Sequence, residues 1–294
     1  MKSRYLTNLA LIVLAIALYW FNNQADKVTS TNITVSPISL DTINHIMIER
    51  ADRDSIIINK LEDEWRLISP LKARANPTRV ELILSLVNTP SNKQLTITPN
   101  TELYQYNITA DSTKLTLNDS QFNFGGVEAL SKDRYILANK TLHLVNDRIA
   151  PLLNANATSF VDNRLFPPKA KISKLDIPYY DQSSQGLDNT QRMVIQNQKG
   201  QWTSQPHENA DSLFEFIENW QHSHALQILP LSRVRQLEES KPLSLYITLN
   251  DQDNSHEYKL LYSDNTLIII DGRQQLAYQL APGLIHQLFP KNKP

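Results

Sequence analysis

The segments EDEWRLISP (residues 62–70) and KGQWTSQP (residues 199–206) share one pattern. In each segment a polar turn precedes a tryptophan, Trp65 or Trp202, and a proline follows a few residues later. A polar turn that leads into an alternating stretch is typical of the second strand of a hairpin. The recurrence predicts that one structural unit occurs twice in this chain.

Apolar positions before and after the tryptophans repeat in the same order. The pairs are Ile43 with Ile172, Ile46 with Leu175, Ile48 with Ile177, Ile56 with Met193, and Ile58 with Ile195. The register changes only between the third and fourth pairs, where the second copy has a longer hairpin loop, and loops tolerate insertions. LTITP then matches LQILP, LTLND matches ITLND, and RLFP matches QLFP. This order predicts a first repeat over residues 38–167 and a second, diverged repeat over residues 168–294.

The first 22 residues predict a membrane anchor. Lys2 and Arg4 precede an uncharged run that closes with Tyr19, Trp20 and Phe21, and aromatic rings favour the lipid–water boundary. The run is at the short end of what a spanning helix needs. A cleaved signal peptide is the alternative. Positive charges before the run place the N-terminus in the cytoplasm and the rest of the chain outside it. Residues 23–37 are polar and predict a tether.

Within each repeat, spacing distinguishes helix from strand. The positions of Val80, Ile83, Leu84 and Val87 mark one helix face, and alternation in KLTLND and TLHLVN predicts half-exposed strands. A closing helix is predicted over residues 148–160. The predicted fold class is therefore α+β, with an N-terminal transmembrane helix followed by two tandem duplicated units of antiparallel sheet with packed helices.

Several residues are predicted to be structural anchors. Each tryptophan is expected to pack against the helix that follows it, although an aromatic platform for a ligand is the alternative. Asparagines that precede the two predicted helices are suited to cap them. The predicted anchors are Trp65, Trp202, Pro70, Pro206, Asn76, Asn209 and Tyr106.

Composition excludes some classes of function. The chain has 29 Lys and Arg residues against 30 Asp and Glu residues, and this balance argues against nucleic acid as a principal partner. It has no cysteine, which removes disulfides, thiolate metal sites and a cysteine nucleophile.

A search for catalytic motifs yields nothing specific, and no cofactor or metal is predicted. No P-loop, G-x-S-x-G, H-E-x-x-H or dinucleotide fingerprint is present. The pair Gly125-Gly126 is interpreted as a turn, and His143 is expected to face solvent. His222 and His224 supply two imidazoles, fewer than a zinc site requires.

Residues 40–167 resemble a bacterial family known as domain of unknown function 4340 (DUF 4340). The resemblance rests on the block EDEWRLISPLKARANPTRVELILSLV, followed by ELYQYNIT, KLTLND, FNFGG, DRYILANKTLHLV and FVDNRLFP. Asn107 stands where the family usually has glycine, and asparagine tolerates the positive φ that this turn needs. The second repeat resembles the family more weakly. The resemblance implies a membrane-anchored, extracytoplasmic protein, in some cases associated with auxiliary proteins of ABC-type transport systems.

The leading hypothesis is a non-enzymatic interaction or scaffold module. It would be held at the bacterial inner membrane, with the lipid bilayer contacted by the N-terminal helix, the bulk of the chain periplasmic, and a protein partner in an envelope complex. One alternative is a small-molecule or glycan-binding protein that uses a cleft between the repeats near residues 166–171. Another is an envelope hydrolase whose carboxylates meet only in the folded chain.

Overall fold

The computed structural model describes residues 12–14, 33–234, 242–250, 252, 254–263 and 265–291. Over these residues the strands are β1 (His45–Arg50), β2 (Arg53–Leu61), β3 (Glu64–Ser69), β4 (Ala73–Arg74), β5 (Lys93–Thr96), β6 (Lys114–Leu117), β7 (Ser120–Val127), β8 (Arg134–Ala138), β9 (Thr141–Val145), β10 (Ile172–Asp181), β11 (Gly186–Gln198), β12 (Gln201–Gln205), β13 (Gln227–Pro230), β14 (Leu243–Leu249), β15 (His256–Ser263), β16 (Thr266–Asp271) and β17 (Leu276–Gln279). The α-helices are α1 (Pro77–Leu84), α2 (Ala150–Leu153), α3 (Ala210–Gln221) and α4 (Ile285–Leu288). Short 3-10 turns lie at Leu40–Thr42, Ser85–Asn88, Leu103–Tyr106, Ala157–Phe160 and Leu231–Arg233.

These strands form two antiparallel sheets with the same topology. The first sheet has the order β4-β3-β2-β1-β6-β7-β8-β9-β5, and the second has the order β12-β11-β10-β14-β15-β16-β17-β13. Apart from the two-residue strand β4, each strand of the first sheet has a counterpart at the same place in the second. Both sheets also end on a strand, β5 or β13, that follows a helix in the chain and closes beside the last hairpin.

The first three strands of each sheet pair in the same register. Trp65 lies opposite Lys60 on β2, and Trp202 lies opposite Asn197 on β11. A one-residue slip would turn every side chain of a strand to the other face, so matched register gives matched buried faces. Most of the buried side chains of both sheets, their helices and the connection between them form one continuous hydrophobic core, and a smaller separate cluster lies on the second sheet.

The connection between the sheets bonds to both of them. In residues 157–167, which we call the junction segment, Val161 bridges to Ala75 and the Asp162 N–H donates to the carbonyl of Arg74 at 2.9 Å. On its other side Arg164 bridges to His224, just before β13. The junction segment therefore lies between an edge of the first sheet and the approach to an edge of the second.

The fold class predicted from the sequence is wrong. Over the described residues the structure is mostly antiparallel sheet, in two sheets with short helices, and not the predicted α+β fold. None of the helices that the described residues form has the length and apolar character needed to cross a bilayer. The predicted anchor with Lys2, Arg4, Tyr19, Trp20 and Phe21 lies outside the described residues, apart from the helical residues 12–14.

Local expectations also need correction. The closing helix predicted over residues 148–160 is a single turn, α2, followed by the 3-10 turn Ala157–Phe160, because asparagine, serine and threonine side chains compete with helical backbone bonds. The pair Gly125-Gly126 lies within β7 and not in a turn. A Cβ at Gly125 would stand 2.4 Å from the Tyr106 carbonyl oxygen, so glycine here permits close packing of backbone on backbone.

His143 is buried, although it was expected from the sequence to face solvent. It lies on β9 with a relative exposure of 5%, opposite Gln94 of the edge strand β5. Its Nδ1 lies 3.1 Å from Ser91 Oγ, and burial lowers the pKa of the imidazole. The expectation from alternation failed because both faces of β9 are covered at this position.

Candidate functional site: an open groove on the second sheet

A groove of about 530 Å³ lies between the β10–β11 hairpin, the start of α3 and the segment that follows β17. Its apolar lining includes Tyr179, Met193, Leu213, Phe216 and Phe289. Its polar lining includes His207, Glu208, His286 and Lys291. The size lies within the range of pockets that hold small molecules or side chains of a partner.

The helix α3 forms one wall because its start is fixed by a cap. The Asn209 side chain accepts a hydrogen bond from the Asp211 N–H at 2.8 Å, and such a cap satisfies a free donor of the first turn. Leu213, Ile217 and Trp220 face the core and are buried. Phe216 is only partly buried and lines the groove, whereas Phe214 is 56% exposed and does not.

The residues after β17 form the opposite wall. The indole Nε1 of the fully buried Trp220 donates to the Leu288 carbonyl at 2.7 Å. The Trp220 ring also packs edge-on against the Phe289 ring, with 5.6 Å between the ring centroids. The Tyr180 N–H donates to the Pro290 carbonyl at 2.8 Å. The groove is therefore held by buried contacts on both sides.

The first sheet has the same arrangement, but there the space beside the helix start is filled. The junction segment passes the N-cap of α1, where the Asn76 N–H donates to the Phe160 carbonyl at 2.7 Å. Phe160 is fully buried, and the next residue, Val161, pairs with Ala75. Arg50 at the end of β1 holds the residues just before this segment by donating to the Ala155 carbonyl at 2.6 Å. A length of the chain itself thus occupies the first groove.

No described residue takes the place of Phe160 in the second groove. The Tyr180–Pro290 bond stands where Arg50 contacts Ala155, but the described part of the chain goes no further than Lys291. Within that part, no backbone bond from the Asn209 N–H matches the one that Asn76 makes with Phe160. Among the residues that the structure describes, the two sheets therefore present one filled and one open version of the same groove.

A second cavity, of about 470 Å³, lies where the two sheets meet the junction segment. Its walls come from β3 and β4 of the first sheet, from residues 165–167, and from β15 and the β16–β17 turn of the second sheet. We call it the junction cavity. Its lining mixes polar and cationic side chains with apolar ones, and it includes Phe166 and Pro167 of the stretch near which a cleft between the repeats was expected.

The predicted anchors are dispersed over the fold. Trp65 and Trp202 are half-buried against the core, and Trp220 is the fully buried tryptophan. Asn76 accepts a hydrogen bond from the Arg79 N–H at 3.2 Å as the cap of α1, just as Asn209 caps α3.

The other anchors lie in turns. Pro70 and Pro206 both follow cis peptide bonds at matched places after the tryptophan strands. The Tyr106 ring meets Tyr135 edge-on at 4.9 Å, and Asn107 has a φ of 54°. Pro206 is the one predicted anchor that lines the open groove. Phe216 and Phe160 were not singled out from the sequence as site residues.

The three carboxyl groups in the described part of the chain whose pKa values are clearly shifted all have lowered pKa values. Hydrogen bonds from Ser131 hold the pKa of Glu128 below its usual value, and a hydrogen bond from Lys259 does the same for Glu257. Hydrogen bonds from Ser184 and Ser183 lower the pKa of Asp181 to about 2. These shifts are opposite to the raised pKa of a general acid. Among the described residues, no three His, Asp or Glu side chains are placed to hold a metal ion.

Comparison with known proteins identifies a family. Residues 65–246 match the family model described as Domain of unknown function (DUF4340), from Trp65 on β3 to Tyr246 on β14. The match covers more than half of the chain and continues past residue 167 into the second sheet, beyond the stretch that resembled the family in the sequence. No curated protein and no solved structure matches the chain significantly. The prediction of the family is confirmed, and the chain belongs to the DUF4340 family.

Proposed function

We propose that this protein is a non-enzymatic interaction module whose open groove binds an extended segment of a partner protein. The observation that carries the proposal is the pair of matched grooves, one filled by the junction segment and one left open by the described chain. The occupant of the first groove is a template for the occupant of the second. Docking of a short segment into a preformed groove is a common mode of peptide recognition.

The contacts in the first groove indicate how much free energy a partner segment would gain by binding in the second groove. Burial of a phenylalanine side chain stabilises a complex by about 1.5–3 kcal/mol, and Phe160 is buried completely. Its carbonyl accepts from the Asn76 N–H, and a net hydrogen bond contributes about 1 kcal/mol. A partner with an aromatic or large aliphatic side chain beside Met193 and Phe216, and a carbonyl at the Asn209 N–H, would make both contacts.

The charge of the template also constrains the partner. The residues that fill the first groove, ATSFV over 157–161, carry no charge. The second groove has one acidic residue, Glu208, and one basic residue, Lys291, so it presents no strong field of one sign. An uncharged segment with one large apolar anchor fits this surface better than an acidic or basic tail does.

Binding of a synthetic peptide tests the proposal. A fluorescent peptide with the sequence of residues 155–164, ANATSFVDNR, is titrated with the full chain and followed by anisotropy. We expect saturable binding with a Kd on the order of 100 μM, because the isolated peptide lacks the high effective concentration of the tethered segment. The same peptide with alanine in place of phenylalanine is expected to bind at least tenfold more weakly.

Two variants on one helix provide the matched control. Phe216→Glu places a charge in the groove and should weaken peptide binding at least tenfold, while Phe214→Glu changes an exposed side chain outside the groove and should have no effect. Circular dichroism on both variants checks that α3 remains folded. Equal loss in the two variants, or no binding of the peptide up to millimolar concentration, would overturn the proposal.

The natural partner can be sought with the same two positions. A photo-crosslinking amino acid replaces Phe216 or Phe214 in cells, and a partner that docks in the groove should crosslink at position 216 and not at position 214.

We propose that this partner belongs to an envelope complex and that both sheets lie outside the cytoplasm. An alkaline phosphatase fused after residue 291 tests the location, because that enzyme becomes active only outside the cytoplasm. An inactive fusion that accumulates to normal levels would contradict it.

A further inference from the structure

The junction cavity has a positive lining. Four cationic side chains line it, namely Arg66, Lys72 and Arg74 from the first sheet and Arg273 from the second. No Asp or Glu is among its lining residues in the described part of the chain. Cations from two sheets thus converge on one space although the chain as a whole carries a formal net charge of −1. Such a concentration of one sign in a cavity focuses the field on a counter-ion.

Ion pairs around the junction cavity neutralise only part of this charge. Asp162 serves two guanidinium groups, because its Oδ2 lies 2.7 Å from Arg164 Nη2 and 3.6 Å from Arg74 Nη1. The second of these contacts is too long for a hydrogen bond, and the buried Arg74 Nη1 has no hydrogen-bond acceptor among the described residues.

The remaining cations differ in their pairing. Arg66 pairs with Glu64 at 3.0 Å, and Arg273 pairs with the buried Asp271 at 3.2 Å. Lys72 is exposed, and no carboxylate oxygen of the described residues lies within 4 Å of its ammonium group. With Arg164 included, five cations therefore face three carboxylates among the described residues around this space, and Lys72 is the cation that pairs with none of these carboxylates.

The second wall supplies polar groups of fixed orientation. Arg273 stacks over the Tyr258 ring at 5.5 Å and donates from Nη2 to its hydroxyl at 3.1 Å. The tyrosine hydroxyl keeps its own hydrogen to donate to a ligand. Between the two walls the floor is apolar, with Leu67 and Phe166 buried beneath it. The cavity therefore offers positive charge on both sides of a small apolar surface.

We propose that the junction cavity binds a small organic anion with at least two negative groups, such as a phosphate ester or a polycarboxylate. One anionic group would meet Arg66 and Lys72 on the first sheet, and the other would meet Arg273 and Tyr258 on the second. Phosphate and carboxylate share the acceptor geometry that guanidinium groups recognise. Because the ligand contacts both sheets, its binding stabilises their junction.

Calorimetric titration of the full chain tests this site with two probes, inorganic pyrophosphate and citrate, at constant ionic strength. We expect one saturable site for at least one probe, and the tighter probe distinguishes a phosphate ligand from a carboxylate ligand. Lys72→Gln should weaken binding about fivefold, which corresponds to about 1 kcal/mol. The double variant Lys72→Gln with Arg66→Gln should weaken it at least tenfold. Both side chains are exposed, so neither change is expected to unfold the chain.

Lys93→Gln is the matched control, since it removes one exposed charge from β5, outside the cavity. Equal weakening by Lys93→Gln and Lys72→Gln would show that the anion binds to the surface in general, and it would overturn the proposal. Absence of saturable binding of both probes up to several millimolar would overturn it as well. The result is independent of the open groove, because Phe216→Glu should leave anion binding unchanged.

Discussion

The two sheets have the same strand order and the same register in their first three strands, yet they differ in what covers the groove beside the helix start. In the first sheet Phe160 fills this groove and the Asp162 N–H of the junction segment donates to the Arg74 carbonyl of β4. In the second sheet the helix α3 is longer, and Phe216 remains partly exposed beside an open space. The two sheets thus share one framework, and the difference at this one place is the basis of the proposed binding groove.

The two sheets also differ in the contacts that cover β7 of the first sheet and β15 of the second. In the first sheet the 3-10 turn Leu103–Tyr106 packs directly on Gly125 of β7. At the corresponding place on β15 stands Leu261, which packs with Val234 in a small separate cluster. Glycine permits a backbone contact in one sheet, and leucine provides a side-chain contact in the other. The two sheets therefore reach similar burial by different routes.

The largest expected effect is on the filled groove. Phe160→Ala removes a fully buried ring and should lower the free energy of unfolding by about 3–5 kcal/mol. Phe216→Ala removes a partly exposed ring and should cost about 1 kcal/mol or less. Urea denaturation monitored by tryptophan fluorescence measures both. Similar losses in the two variants would mean that the second groove is as well covered as the first, contrary to the comparison.

Much of the first three strands could be predicted from the sequence. Periodic apolar residues and the tryptophan turns matched Trp65 with Trp202, and the two tryptophans lie at equivalent register positions because strand register follows from which face is buried. The caps Asn76 and Asn209 were also visible, since asparagine before a helical pattern has one principal local role.

The later strands show where sequence matching fails. Thr96 and Pro230 pair with the first residues of β9 and β17, so they occupy corresponding places in the two sheets. The match of LTITP with LQILP instead aligns Thr96 with Gln227, three residues away. Short apolar strings resemble one another in composition, whereas hydrogen-bond register depends on loops whose lengths differ between the repeats.

The open groove could not be predicted from the sequence for a related reason. Phe289 directly follows α4, whereas Phe166 lies well beyond α2, so the matched strings RLFP and QLFP do not occupy corresponding places. The groove results from a segment that is present in one sheet and has no described counterpart in the other. The junction cavity was equally invisible, because Lys72 and Arg273 are distant in sequence and meet only when the two sheets are joined.

A smaller effect is expected at the glycine contact. Gly125→Ala would bring a Cβ to 2.4 Å from the Tyr106 carbonyl oxygen, and the resulting shift of the Leu103–Tyr106 turn should cost about 1–3 kcal/mol. Gly272→Ala in the β16–β17 turn is the matched control, because a Cβ there meets no atom within 4 Å. Thermal unfolding of both variants measures the difference. An unchanged midpoint for Gly125→Ala would show that the turn does not rest on β7.

The smallest expected effect is a dependence of stability on pH. It should differ between the β8–β9 hairpin of the first sheet and the β16–β17 hairpin of the second. His143 on β9 and Tyr278 on β17 occupy corresponding places opposite Ile136 and Ile269. Burial lowers the pKa of His143, so the folded state favours the neutral imidazole. Burial raises the pKa of Tyr278, which therefore stays neutral from pH 5 to pH 8. Only the first sheet should respond to pH in this range through these two groups.

The sign of the response follows from proton linkage. Below the unfolded pKa of about 6.5 the unfolded chain binds a proton at His143 that the folded chain does not, so stability is full above that pH and falls on acidification. The slope cannot exceed about 1.4 kcal/mol per pH unit for one proton. His143→Gln should retain the contact with Ser91 and lose this slope, which unfolding midpoints of both proteins from pH 5 to pH 8 measure. A His143 imidazole whose NMR titration midpoint lies at or above 6.5 in the folded chain would contradict the assignment, because a neutral buried ring must titrate lower.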